Sequence, residues 1–461
     1  MSAAAAAAWV DRRRASRAAR RVSPMRRVGR GGCRFDSCLL TFTMVVTFTM
    51  GINRETSSRS RAALTVASLG LATDALVYGM AVPVLPKIAT EHGSRPLGVG
   101  LMFAVYAAAL VAATPAAGLW VDRQGNRRPL LAGVAGLAAA TALFAFARDP
   151  SLLILARALQ GAAAGIVWTA GLALIAATHG PTERGKAMGI ALSTFAVGTL
   201  LGPPLGGLLA GWFDPRVPFL LACALALADG AVRWFLVPAD TGPAVRGGIR
   251  EVRGRPGLAL VALLTATGAA LIAFMEPILP LHLFTTENAG TGEIGLVFGA
   301  AGVAAAIAPS LAGYALARLS PGAVAGTGCV LAAVALLLLG GPLDGVGQSA
   351  IGLALVTGGA SLVLTPTVTV MSQIAESRQP PVYGAVYAVY TLAYTGGLAV
   401  APFGAGWAMQ GLGFDGAART AAAVAALLTV LVVAWGRRRP ARPPADSVET
   451  AAGKSSGANL G

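Results

Sequence analysis

The sequence predicts an all-α polytopic membrane protein with twelve transmembrane helices in two six-helix halves. Three observations carry the prediction. First, the 461 residues are 55% hydrophobic and only 12% charged, with a mean hydropathy of +0.68, whereas a soluble domain carries about 25% charge. Second, the apolar residues fall into twelve runs of spanning length, at 62–85, 98–120, 129–147, 152–178, 186–211, 217–237, 257–284, 293–316, 323–340, 349–374, 382–408 and 417–436. Third, the chain repeats itself at a nearly constant offset. Val82-Pro83-Val84-Leu85-Pro86 matches Glu276-Pro277-Ile278-Leu279-Pro280, Gly118 to Arg123 matches Gly313 to Arg318, and Gly202-Pro203-Pro204-Leu205-Gly206 matches Ala401-Pro402-Phe403-Gly404-Ala405. Two halves related along the membrane normal produce such an offset, with a substrate site near the midplane between them.

The runs divide the chain. Residues 1–61 read as a disordered basic N-terminal extension, 62–237 as the N-terminal half, 238–256 as a Pro-, Gly- and Arg-rich cytoplasmic linker, 257–436 as the C-terminal half and 437–461 as a disordered tail. The apolar stretch Cys38–Ile52 inside the extension is shorter than the roughly 18–20 residues a span needs. An upstream start codon, with Met50 as the true start, would also account for the extension. The net charge of +16 is concentrated in the two termini. It marks cytoplasmic segments rather than a nucleic-acid partner. Cys33, Cys38, Cys223 and Cys329 are scattered and have no metal spacing.

The connection between the second and third runs is Gly118-Leu119-Trp120-Val121-Asp122-Arg123-Gln124-Gly125-Asn126-Arg127-Arg128. It is too short to cross a bilayer, so it ties two helices on one face. Its positive excess marks that face as cytoplasmic. Across all connections, eleven Lys and Arg fall on that side and five on the other. Both termini are therefore expected in the cytoplasm of a plasma (inner) membrane protein.

An ionisable group in the hydrocarbon core costs about 2.5–3.5 kcal/mol or more, so each one is a candidate. Asp74 lies near the middle of the first run. A carboxylate there is stable neutral with a proton or charged beside a cation, but not alone. An exchanger of protons for organic cations has that need. The alternative is a packing aspartate bonded to a hydroxyl such as that of Thr73. Glu276 precedes Pro277 in the seventh run; it is a second acidic site or a rim carboxylate facing water. Arg157 opens Arg157-Ala158-Leu159-Gln160-Gly161 in the fourth run and cannot lose its charge. It either meets an acid in the core or snorkels to the rim. Asp229 and Arg233 are four apart, which favours a structural ion pair.

Gly198, Gly202 and Gly206 form a small-residue stripe in the fifth run, with Pro203 inside it and Gly207 closing it. Such a stripe lets a neighbouring helix approach closely. Tyr383, Tyr387, Tyr390 and Tyr394 share one face of the eleventh run. Tyr387 and Tyr390 would line a cation site through their rings, or the four phenols are packing residues.

These motifs resemble those of the major facilitator superfamily. The 118–128 stretch is similar to its signature loop, Arg157 to Gly161 to its fourth-span motif, and Gly198 to Gly207 to the fifth-span motif of its antiporters. Asp74 before Val82-Pro83-Val84-Leu85-Pro86, Met275 to Pro280, and Val382 to Ala388 resemble vesicular monoamine transporters and related drug:proton antiporters. The resemblance implies that Asp74 contacts an amine or carries a proton, and that Glu276 is a second acidic site. It implies a proton-coupling role for Arg157 and Gln160. It implies an inner gate built from Gly118, Asp122, Arg123, Gly125, Arg127 and Arg128, and an antiporter motif of Gly198, Gly202, Pro203, Gly206 and Gly207. In one respect the chain departs from that group, since Thr391 stands where the vesicular amine transporters have an eleventh-span aspartate.

The expected function is a proton-coupled antiporter exporting small amphipathic cationic compounds by alternating access, as in multidrug efflux. The alternative is an exporter of a neutral metabolite or other small solute. A membrane enzyme is not expected, because His92, His179 and His282 are far apart in sequence and no metal-ligand pair occurs. No cofactor, metal or nucleic acid is expected. The expected partners are a small-molecule substrate, protons and the lipid bilayer, and the protein is expected to be a monomer.

Overall fold

The computed structural model describes residues 58–237, 257–341, 345–376 and 383–437. The sequence readings for the extension up to residue 57, the linker 238–256 and the tail from 438 lie outside the described residues. The described residues form helices only. These are α1 Ser58–Ala81, α2 Leu85–Glu91, α3 Pro96–Gln124, α4 Arg127–Phe146, α5 Pro150–Thr178, α6 Pro181–Trp212, α7 Val217–Leu236, α8 Leu258–Thr285, α9 Thr291–Leu316, α10 Pro321–Leu339, α11 Val346–Glu376 and α12 Tyr383–Arg437.

Ten of these helices are long and apolar enough to cross a membrane. The last, α12, has 55 residues. Unbroken, it would run about 80 Å at 1.5 Å per residue, against a hydrocarbon core of about 30 Å. It breaks at Gly413, where φ is 70° and ψ is −178°. Only glycine adopts that φ without strain. The two limbs are the eleventh and twelfth spans. Arg419 fastens the second limb to the end of α10 by donating from Nε to the Gly340 carbonyl at 3.0 Å.

Two boundaries differ from the sequence prediction for physical reasons. The first run, predicted to reach residue 85, ends as a helix at Ala81. Pro83 has no N–H to donate, so residues 82–84 turn before the short α2 begins. The 118–128 connection is mostly helix. α3 runs on to Gln124 and α4 starts at Arg127, leaving only Gly125 and Asn126 between them. Gly125 makes the corner with φ of 73°. Asp122 and Arg123 therefore stand on the last turn of α3 rather than in a loop.

Glycine sets how closely the helices meet. On one face of α6, a Cβ added at Gly198 would lie 2.4 Å from the Ala72 carbonyl oxygen, at Gly202 2.8 Å from Gly79 Cα, and at Gly206 2.3 Å from the Met80 carbonyl oxygen. The stripe predicted to admit a neighbour admits α1. Gly207 faces the other way, towards α9, where an added Cβ would lie 2.2 Å from the Thr291 carbonyl oxygen. A second crossing joins α3 to α12. There a Cβ at Gly100 would lie 2.3 Å from the Pro402 carbonyl oxygen, and one at Gly406 2.6 Å from that of Pro96. These two crossings join the halves at the end of the bundle opposite the 118–128 corner, the closed end.

The same helices part towards the other end. Along the antiparallel α6 and α9, Gly207 lies against Gly295 and Leu200 against Gly302. Continuing that register by eleven residues on each helix sets Gly189 opposite Gly313. Yet neither Gly189 nor Gly313 has a described heavy atom within 4 Å of an added Cβ. Gly118 on α3 is open in the same way.

Gly206→Ala is expected to lower the thermal midpoint in detergent, because its Cβ meets backbone that cannot rotate away; overpacking of this kind costs about 1–3 kcal/mol. Gly118→Ala is expected to match or exceed the parent, since alanine is the better helix former by about 1 kcal/mol. Size-exclusion recovery after graded heating measures both.

Candidate functional site

Four candidates chosen from the sequence, Asp74, Arg157, Gln160 and Glu276, meet in one cluster built by α1, α3, α5 and α8. Asp74 is 3% exposed. Its carboxylate accepts from Trp168 Nε1 at 2.9 Å and from the Tyr106 hydroxyl at 3.2 Å. Its partners are thus an indole and a phenol from other helices rather than the hydroxyl of neighbouring Thr73. Tyr78 lies one turn along α1 from Asp74, on the same face. Its hydroxyl donates to Glu276 Oε2 on α8. This bond joins the N-terminal and C-terminal halves. Glu276 is 9% exposed, so the alternative of a rim carboxylate facing water is corrected. The Tyr78 and Tyr106 rings lie 4.8 Å apart and link the two acid sites.

Arg157 sits against these rings. Its guanidinium carbon is 5.2 Å from the Tyr78 centroid, 5.2 Å from Phe103 and 5.0 Å from Tyr106. It is 0% exposed. The snorkelling alternative is therefore overturned. Arg157 is only two turns into α5, but α1 and α3 cover it with aromatic faces, and no route to the rim remains. Desolvated cation–π contacts are worth about 2 kcal/mol each, enough to offset the cost of about 2.5–3.5 kcal/mol for placing arginine in the core. Nη1 donates to Gln160 Oε1 at 2.8 Å, and Gln160 Nε2 donates to Thr141 Oγ1 at 3.2 Å. Nε and Nη2 find no acceptor among the described residues. Arg157 is close enough to both Asp74 and Glu276 to act on each through space.

The other candidates stand elsewhere. Asp229 and Arg233 pair as expected, with Arg233 Nη2 2.8 Å from Asp229 Oδ2 and Nε donating to the same oxygen at 3.0 Å. The pair is buried and seats on α1, where a Cβ at Gly70 would lie 1.6 Å from Arg233 Nη2. Tyr390 is half-buried and stacks on Tyr394 at 6.3 Å. The side chains of Tyr383 and Tyr387 lie outside the described residues. At the corner, Asp122, Arg123 and Arg128 are exposed. Arg127 ties α4 to the end of α7, donating to the Trp234 carbonyl at 3.1 Å with its guanidinium 5.5 Å from the indole centroid.

Sequence reasoning missed Tyr78, Tyr106 and Trp168. Two of them carried a signal. Tyr78 follows Asp74 by four residues, and Trp168 follows Arg157 by three helical turns, so each shares a face with a charged group.

The family model described as the Major Facilitator Superfamily matches residues 67–379 and 258–458. The chain belongs to the major facilitator superfamily. It is 29% identical over 385 residues to the probable vesicular acetylcholine transporter-B of Danio rerio, covering 79% of this chain and 77% of that one. It is 30% identical over 330 residues to the synaptic vesicular amine transporter of Rattus norvegicus, covering 68% of this chain and 62% of that one. It thus spans less than two thirds of the amine transporter's length. Among solved structures, a bacterial homolog of the human lysosomal transporter Spinster, inward-facing and occupied, superposes with a TM-score of 0.69 at 15% identity, over 80% of this chain and 94% of that one. The human organic anion transporter MFSD10 (TETRAN) gives a TM-score of 0.58 at 20% identity, over 81% and 99%. These two show the fold. The superfamily member described here is a multi-pass membrane transporter and not an enzyme.

Gln160→Leu removes the acceptor of a buried guanidinium donor, which costs about 1–3 kcal/mol. Its thermal midpoint is expected to fall below the parent's, while that of Gln124→Leu at the exposed corner stays level. An unchanged midpoint for Gln160→Leu would mean that Arg157 is not held by this bond.

Proposed function

We propose that this superfamily transporter is a proton-coupled antiporter that exports small amphipathic cationic compounds by alternating access. One observation carries the proposal. Two carboxylates, Asp74 from one half and Glu276 from the other, are held in a frame of aromatic rings around a buried arginine. Aromatic faces and carboxylates together recognise an organic cation. The same carboxylates accept a proton when the cation leaves, so the two ligands compete for one site. The vesicular acetylcholine and amine transporters named above support the substrate class by likeness.

The positive-residue count supports a cytoplasmic position for the 118–128 corner, and the proposal sets the protein in the plasma membrane with its closed end facing outward. In this orientation the two glycine crossings seal the outside, and the site is reached from the cytoplasm past the half-buried Trp168 and Tyr390. Export then follows when the halves rock. The outer crossings open, and α6 and α9 meet at Gly189 and Gly313 instead. Gly118, Asp122 and Arg123, exposed or open in this state, latch the inner end in the other.

Two experiments test this. In everted vesicles energised to be acid inside, cationic dyes and amines are expected to collapse the pH gradient with the parent and not with Asp74→Asn. Asp74→Asn as active as the parent would remove the carboxylate exchange from the account. In a cysteine-free background, Gly189→Cys with Gly313→Cys is expected to cross-link only in the state open at the outer end. A Gly211→Cys and Gly292→Cys pair, at the α6–α9 crossing where an added Cβ meets its neighbours at 3.4 Å or more, should cross-link only in the state described here. Equal cross-linking of both pairs in every condition would contradict the rocking motion.

A further inference from the structure

We infer that the site exchanges one proton for one monovalent cation without moving net charge, because Arg157 cancels one of its two carboxylates. The inference rests on the antiporter proposal and adds its stoichiometry and the charge of its substrate. Among the described residues, the acidic, lysine and arginine side chains buried in the bundle are Asp74, Arg157, Asp229, Arg233 and Glu276. Asp229 and Arg233 neutralise each other at 2.8 Å. The remaining three form one cluster, since Tyr106 binds Asp74, Tyr78 binds Glu276, and Arg157 lies 5.0–5.2 Å from the centroids of both tyrosine rings.

Of the other helices packed on the cluster, α7 brings Arg233, whose charge reaches Asp74 but is matched by Asp229, and the rest bring none. α3 presents Tyr106 and Phe103, α12 brings Tyr394 near Glu276, and α6 carries its charged residues on its first turns. His282, two turns along α8, is stacked on Phe414 with ring centroids 4.0 Å apart. The empty cluster therefore carries one negative charge.

A buried net charge is costly, and the cost vanishes when one positive charge is added. One proton does this by forming an O–H bond on Asp74 or Glu276. One monovalent cation does it by lying between the rings and the carboxylates. Both together, two protons, or a divalent cation would each leave the site with an excess positive charge. The cluster therefore alternates between one proton and one monocation. The proton leaves its carboxylate for water on the cytoplasmic side as the cation binds, and another proton arrives from outside as the cation departs. Without Arg157, two carboxylates would call for two protons. The arginine thus sets the coupling ratio.

The test uses the full-length parent in proteoliposomes, acid inside by one pH unit, with ethidium as the monovalent probe and potassium–valinomycin setting the potential. One-for-one exchange gives about tenfold ethidium accumulation at zero potential, one pH unit being one decade of proton activity. An inside-positive potential of about 59 mV, a tenfold factor per net charge moved, leaves that ratio unchanged. Two protons per cation would give about hundredfold accumulation at zero potential, with a further tenfold gain on making the inside positive. That result would overturn the inference and leave the antiporter proposal standing. Ethidium held at the level of protein-free liposomes under every gradient would overturn the antiporter proposal itself. Propidium, the divalent relative of ethidium, is expected to stay at the protein-free level; its accumulation would overturn the assignment to monocations.

Discussion

Arg157 is the constraint on which the rest of the site depends. A guanidinium cannot discharge itself by losing a proton, so a chain that buries one must build around it. Here α1 and α3 supply three aromatic faces and α5 supplies Gln160. The tyrosines that face the cation also turn their hydroxyls to the two acids, Tyr106 to Asp74 and Tyr78 to Glu276. One pair of rings thus does two jobs. It lowers the cost of the buried cation and fixes two carboxylates within its field. Since Glu276 belongs to the other half of the bundle, the same arrangement links local charge to the relative position of the halves.

The helix packing explains how such a link becomes motion. α6 presents glycine on two faces. Gly198, Gly202 and Gly206 hold α1, the helix that carries Asp74 and Tyr78, while Gly207 meets α9 of the other half. A shift at the α6–α9 crossing therefore carries α1 with it. The contact of Arg233 with Gly70 adds a second tie to α1, one turn from Asp74. α1 thus moves with its own half, whereas the Tyr78–Glu276 bond crosses between halves. In the proposed cycle that bond is the one a change of ligand on Glu276 reaches first.

Much of this was legible in the sequence. The apolar runs marked the spans, because hydrocarbon tolerates few charges, and the offset repeat marked the halves. Asp74, Arg157 and Glu276 stood out for the same reason. Depth was harder to read. Arg157 lies early in its helix, and sequence distance alone left it free to reach the rim; the rings of Tyr78, Phe103 and Tyr106, from helices far away in sequence, removed that option. Part of the aromatic frame was hidden, because Tyr106 looks like an ordinary member of an apolar run until its hydroxyl is seen to share the Asp74 carboxylate with Trp168. The parting of α6 from α9 was illegible for another reason. Nothing in the sequence pairs Gly189 with Gly313, and only the register fixed by Gly207 and Gly295 shows that they stand opposite each other and apart here.

The central claim is that a cation and a proton compete for one carboxylate cluster balanced by Arg157. The most direct measurement is proton release on binding. Purified parent protein in weakly buffered detergent solution, at a pH where the cation-free site holds its proton, is mixed with excess ethidium while a pH dye reports the change. About one proton released per protein, and none from the doubly substituted Asp74→Asn, Glu276→Gln protein, is the result the account predicts. Ethidium binding with no proton release from the parent at any pH would contradict it.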